Sequence, residues 1–223
     1  MGIFSAIGGF ISGCVGAVAS VCSSIGGAVA SGISALVATI APHLATIVQI
    51  VSVIAQVIGI FSKEDDVEDL GAAMRQCAKK PEDFDSINAY IDYLRNEIKE
   101  GRVDLNKEKT QMGSAVDNAL GCGLVIKGIE EKYQLSTSGE FWVFAAKKVD
   151  GGKLNADDVN SMLKTASEKN IKVDDMVNYV EGKEVSVPKS EISSSIKESL
   201  ASADSNLSEG EITKKFNELV RKD

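Results

Sequence analysis

Few side chains in this sequence could carry covalent chemistry, and none stands beside the partner it would need. The one histidine, His43, follows Pro42 in a stretch without any acid, so a nucleophile–histidine–carboxylate relay has no imidazole near a carboxylate. The four cysteines, Cys14, Cys22, Cys77 and Cys122, form no C-x-x-C pair. A thiolate nucleophile needs a base and a zinc site needs a ligand cluster, so these thiols read as small, reduced apolar side chains. Carboxylates gather at Glu64, Asp65, Asp66, Glu68 and Asp69, where they suit the start of a helix and its macrodipole better than acid–base work. The expectation is a protein that is not an enzyme and takes neither metal nor cofactor.

The segment Asp150–Asp158 carries a glycine and acids in the manner of the second half of a calcium loop. Aligning Gly152 with the required sixth position puts Lys147, Val149 and Gly151 at the first, third and fifth ligand positions and Asp158 where a bidentate Glu belongs. That set cannot ligate calcium, and Asn155 reads instead as a helix N-cap.

Charge divides the chain. Of its 223 residues, 24 are Lys or Arg and 32 Asp or Glu, a net charge of -8, and all of them lie beyond residue 62. No basic run exceeds two residues, so the counterion release that drives nucleic-acid binding has no source, and nucleic acid is excluded as a partner. The sequence predicts two regions, an uncharged hydrophobic region over 1–62 and an acidic helical domain over 63–223.

The uncharged region has no basic residue ahead of it and is far too long for a signal-peptide core, so it is expected to stay in the mature chain. Ser23, Ser24, Gly26 and Gly27 interrupt it once, and Ala41, Pro42 and His43 interrupt it again. Three pieces result, Ile3–Val21, Ile25–Ala41 and Leu44–Phe61, each close to the ~30 Å bilayer core in length. If the first break is only a bend, the region becomes a helical hairpin with its turn at Pro42 and His43.

Small residues recur every fourth position through Gly8, Ser12, Gly16, Ser20, Ser24, Ala28 and Gly32, with Gly9 and Gly13 on the same face. Small-xxx-small spacing lets helix backbones approach closely, which in lipid is a main source of association. The ladder fits self-association and equally the packing of one intramolecular hairpin. The last piece has a seam of Ala45, Gln49, Ser52, Gln56 and Gly59 on an otherwise Ile/Val surface. Buried amides must be hydrogen-bonded, so Gln49, Ser52 and Gln56 are expected at a helix–helix contact or a wet lumen.

From Lys63 onward the periodicity is helical with short loops. Helices are expected over Glu64–Lys80, Glu82–Lys99, Asp104–Tyr133, Glu140–Val149, from Asn155 to about Asn170, over Asp174–Gly182 and Ser190–Ala203, and after Ser208. Gly113, Gly121, Gly123 and Gly128 loosen the long one and permit close approach, and Phe141, Trp142 and Phe144 read as core. The fold class expected is all-α: an N-terminal hydrophobic helical hairpin or three-helix membrane-type segment, then a compact multi-helix acidic body.

A charge-free, glycine-laddered head on an acidic helical body resembles small membrane-inserting, pore-forming effector toxins of the kind delivered by bacterial type VI and related contractile machines. The resemblance implies synthesis in a bacterial cytoplasm without a signal peptide and action in the membrane of a target cell. It also implies a homo-oligomer built through Gly8, Gly9, Gly13, Gly16, Ser20 and Gly32, and a chaperone, delivery tube or immunity protein shielding the head. The alternative is a structural or membrane-anchoring part of a larger assembly, such as a phage virion or ejection protein or an injection-machine subunit, with the head buried among its neighbours. A third reading folds the head into the body as the core of one soluble helical domain.

Overall fold

The computed structural model describes residues 3–107 and 110–221, and among these the chain is all-α. Its elements are α1 Ile3–Ile25, α2 Gly27–Ile40, a 3-10 turn Ala41–His43, α3 Leu44–Val57, α4 Val67–Gln76, a 3-10 turn Pro81–Asp83, α5 Ile87–Lys99, α6 Gln111–Tyr133, α7 Gly139–Asp150, α8 Ala156–Lys169, α9 Val173–Val180, α10 Lys189–Ala203 and α11 Glu209–Val220. The chain divides into two compact units, Met1–Lys132 and Tyr133–Asp223. The compositional step at residue 62 therefore falls inside the first unit, which holds the whole uncharged region together with α4, α5 and most of α6.

At the core of the first unit is α6, which is buried on nearly every face from Val116 to Glu130. A helix apolar all round must be covered all round, and its glycines set how closely its neighbours come. A Cβ on Gly121 would stand 2.9 Å from the Val67 carbonyl carbon of α4, and one on Gly71 would stand 2.6 Å from the Asp117 carbonyl carbon. The two helices thus meet backbone to backbone. A Cβ on Gly123 would lie 2.7 Å from Ile33 Cγ2 of α2, and one on Gly128 would lie 2.8 Å from Ile91 Cδ1 of α5. Despite its glycines, α6 is one uninterrupted helix. It begins at Gln111 rather than Asp104; residues 104–107 form a turn in which the Lys107 amide donates to the Asp104 carbonyl at 3.2 Å, and 108 and 109 lie outside the described residues.

Polar contacts tie these helices at their ends. Arg75 donates to both Asp117 carboxylate oxygens, at 2.6 and 2.8 Å, the paired geometry a guanidinium favours. Glu131 on α6 caps α5, accepting the Ile87 and Asn88 amides at 2.9 Å each. The acidic run does what the macrodipole asks: Asp66 is the N-cap of α4 and accepts the Glu68 amide at 2.7 Å, while Asp65 pairs with Arg95 at 2.7 Å. Burial works to raise the Asp65 carboxyl, but hydrogen bonds from Arg95 and Ser62 and the Arg95 charge outweigh it and hold it below its usual range. A carboxyl lowered by folding stabilises above its unfolded titration range and loses that contribution as pH falls. Asp65→Asn is therefore expected to lower stability at pH 7 and to flatten the stability loss below about pH 4, read from urea midpoints across pH.

In the second unit, side-chain caps open α7, α8 and α11, whose ends shift slightly from those expected. Ser138 caps α7 and accepts the Phe141 amide at 3.1 Å, Asn155 and Asp158 form a reciprocal capping box on α8, and Ser208 with Glu211 forms another on α11. Asn155 thus heads a helix, as its cap signature predicts. Phe141 and Trp142 are fully buried, with the indole N–H donating to Thr137 Oγ1 at 2.8 Å. Asp158 is 1% exposed and held by Lys215 Nζ of α11 at 2.6 and 2.8 Å. Removing the lysine strands a buried carboxylate. Lys215→Ala is expected to cost about 2 kcal/mol or more, below the ~3–5 kcal/mol of a fully buried pair because Lys215 is partly exposed, as checked by urea unfolding.

Candidate functional site: the apolar head

The site indicated by the sequence is the uncharged region, and its chain reversal lies at Gly26 and Gly27. Gly26 has φ +75° and Gly27 φ +84°, a left-handed pair that side-chain-bearing residues resist. The Gly26 amide donates back to the Cys22 carbonyl at 2.9 Å, and α2 then returns along α1, so that Phe10 and Ile11 reach the level of Pro42 and Leu44. The hairpin turn expected at Pro42 and His43 is corrected accordingly. Those two residues sit in a 3-10 turn with Ala41 and Leu44 in right-handed helical geometry, joining α2 to α3 in one helical run, Gly27–Val57. Proline is tolerated there because the first turn of the 3-10 segment has no use for its missing amide hydrogen.

Element lengths change with the turn. α1 is 23 residues, about 35 Å at ~1.5 Å per residue, and is long enough alone for the ~30 Å bilayer core. α2 and α3 are 14 residues each, about 21 Å, and only together, as a run of 31 residues, do they exceed that thickness. The head thus holds two helical runs of membrane length and composition, Gly8–Ile25 and Gly27–Val57, rather than three.

Each run buries one face. Val18, Ile33, Val37, Ile40, Ile47 and Ile54 have no exposed surface, and Cys14 and Cys22 are 3% exposed. The small-residue ladder points the other way: Gly8, Gly9, Ser12, Gly13, Gly16, Ser20, Ser24 and Ala28 are all exposed, and Gly32 is half-buried. A Cβ at Gly8, Gly9 or Gly16 would meet nothing within 4 Å, one at Gly13 would touch the end of Met112 at 3.1 Å, and one at Gly32 would reach Lys127 Cε at 3.5 Å. The ladder is not what packs the intramolecular hairpin. That hairpin closes through Cys14, Val18, Cys22, Val37 and Ile40 on the opposite face.

The polar seam also faces outward. Gln49 and Gln56 are exposed and Ser52 is half-buried, so within this chain the amides meet solvent rather than a neighbouring helix. Val53 and Val57 lie beside them at 40% and 59% exposure, the two large apolar side chains left open among the described residues. Past Val57 the helix ends in a left-handed glycine cap, where Gly59 has φ +77° and the Ile60 and Phe61 amides both donate to the Ala55 carbonyl at 2.8 and 3.0 Å.

One carboxylate from the charged part of the first unit reaches the head. Glu82, in the 3-10 turn before α5, lies against the N-terminus of α2, and its Oε1 accepts the Val29 amide at 3.3 Å. A Cβ on Gly27 would fall within 2.6 Å of Glu82 Oε2, so Gly27 both makes the turn and admits the acid. An anion at a helix start complements its unpaired amides. The sequence marks Gly27 only as a break, and neither Glu82 nor the glycines of α6 announces its partner.

Comparison with protein-family models, curated proteins and solved structures finds no match to this chain.

Proposed function

We propose that this chain is a membrane-inserting, pore-forming protein of the effector-toxin type. Its hairpin α1–α2, with α3 attached, is folded against α4–α6 in water and transfers to a bilayer. One observation carries this reading: two helical runs of membrane length carry no charge, yet only 17% of the residues in 8–25 and 33% of those in an 18-residue window of 27–57 are buried. A helix that serves only as a soluble core hides its apolar residues and shows charge outside. Here the outside is mainly Gly, Ser, Ala and Gln, with Val53 and Val57 open among them, a surface water tolerates and lipid also accepts.

In a membrane the outward ladder from Gly8 to Ala28 would meet the same ladder on further copies, because close backbone packing is what brings helices together there. Gln49, Ser52 and Gln56 would then find partners across an oligomer or line its lumen. Before insertion, a carrier or immunity protein would cover the same face, since the exposed strip is continuous.

Insertion is tested by placing a tryptophan at Val57 of the full chain and adding liposomes carrying brominated lipids. The expected result is strong quenching that deepens with lipid concentration, with α-helix content retained. Binding without quenching, or no binding, would favour the anchoring or assembly reading, in which neighbouring proteins cover the head.

A further inference from the structure

Between α1, the joint at Pro42 and the start of α6 lies an open cleft of about 510 Å³, inside the ~300–1,000 Å³ range of small-ligand sites. Phe10 and Ile11 form one wall and Leu44 and Val48 the other. All four are only half-buried, whereas Ile33, Ile40, Ile47 and Ile50 on the same helical runs are buried. Their partly open surfaces border the cleft. No charged residue lines it, and its polar groups are the amides of Gln49 and Asn118.

We propose that this cleft binds one alkyl chain of a single-chain amphiphile. The walls offer dispersion contacts and removal from water, and they hold no cation to neutralise a carboxylate or phosphate, so the ligand's charged end stays in solvent. A compact polar metabolite would leave its hydrogen-bonding groups unpaired against Phe10, Ile11 and Leu44. A chain lodged there would stand between α1 and the joint that connects α2 to α3. This site belongs to the folded, membrane-free protein and goes beyond the pore-forming reading without requiring it.

The test is titration of the full-length protein, below the micelle concentration, with hexadecanoic acid and with its neutral monoacylglycerol, by displacement of a fluorescent polyene fatty acid. Both are expected to displace the probe saturably at one equivalent and with affinities within about tenfold of each other, since head-group charge has no counterpart in the cleft. Ala115→Phe, which fills the cleft from α6, is expected to weaken both by about tenfold or more, whereas Ala35→Phe on the exposed face of α2 leaves them unchanged. Should Ala115→Phe fail to fold, Val48→Trp with a brominated chain provides a second reading. Quenching that saturates at one equivalent there, with none for Ala35→Trp, is expected. No saturable displacement, a strong preference for the acid, or equal quenching at both positions would overturn the proposal.

Discussion

Gly121→Ala is expected to cost this protein at least about 3 kcal/mol, beyond the upper part of the ~1–3 kcal/mol usual for overpacking. In an exposed helix the same exchange gains up to about 1 kcal/mol, because alanine loses less backbone freedom than glycine. The sign reverses here because of what the new methyl group would meet. The Val67 carbonyl carbon would be 2.9 Å away and the Gly71 amide nitrogen 3.1 Å away, both backbone atoms of α4. A side chain can swing aside, but a helix backbone moves only as a whole. Shifting α4 would also disturb the Arg75–Asp117 pair, because Arg75 is on α4 and Asp117 on α6. Gly71→Ala should behave alike, since it presses on the Asp117 carbonyl from the other side. Urea unfolding followed by circular dichroism checks both. A cost below 1 kcal/mol would mean that the two helices are not in backbone contact.

The opposite outcome is expected on α1. Gly9→Leu with Gly16→Leu should leave the water-soluble fold intact or slightly more stable, because both positions are exposed, nothing lies within 4 Å of either Cβ, and leucine is the better helix former. In mild detergent or bilayers the same pair should weaken self-association by at least about tenfold, because two bulky side chains one helical repeat apart hold neighbouring backbones away. Cross-linking of detergent-solubilised protein across a dilution series checks this. A stability loss without a change in association would return the ladder to an intramolecular role.

Much of this architecture follows from the sequence, for identifiable reasons. Asn155 and Ser208 are caps whose effect is confined to one turn, so residue type and spacing suffice to place them. The all-α class follows from periodicity that repeats over many turns. What depends on distant partners does not follow. The turn at Gly26 and Gly27 competes with the break at Pro42, and which one reverses the chain is decided by Cys14, Val18 and Cys22 packing on α2 and the joint. Proline's missing hydrogen bond marks an interruption, whereas reversal over so few residues requires the left-handed geometry that the glycines supply. The compositional step at residue 62 likewise hides that Gly123 on α6 is shaped to receive Ile33 on α2. Removing residues 1–62 would strip that cover from α6, so a chain beginning at Lys63 is a poor stand-in for the folded body.

Dye release from liposomes by the full-length protein, measured beside the Gly9→Leu, Gly16→Leu variant at equal membrane-bound fraction, bears on pore formation and on the ladder at once. Release by the natural chain is expected, and little or none by the variant, with both inserted to the same depth. Equal release by the two would contradict assembly through the outward ladder, and intact liposomes with fully bound natural protein would contradict pore formation itself.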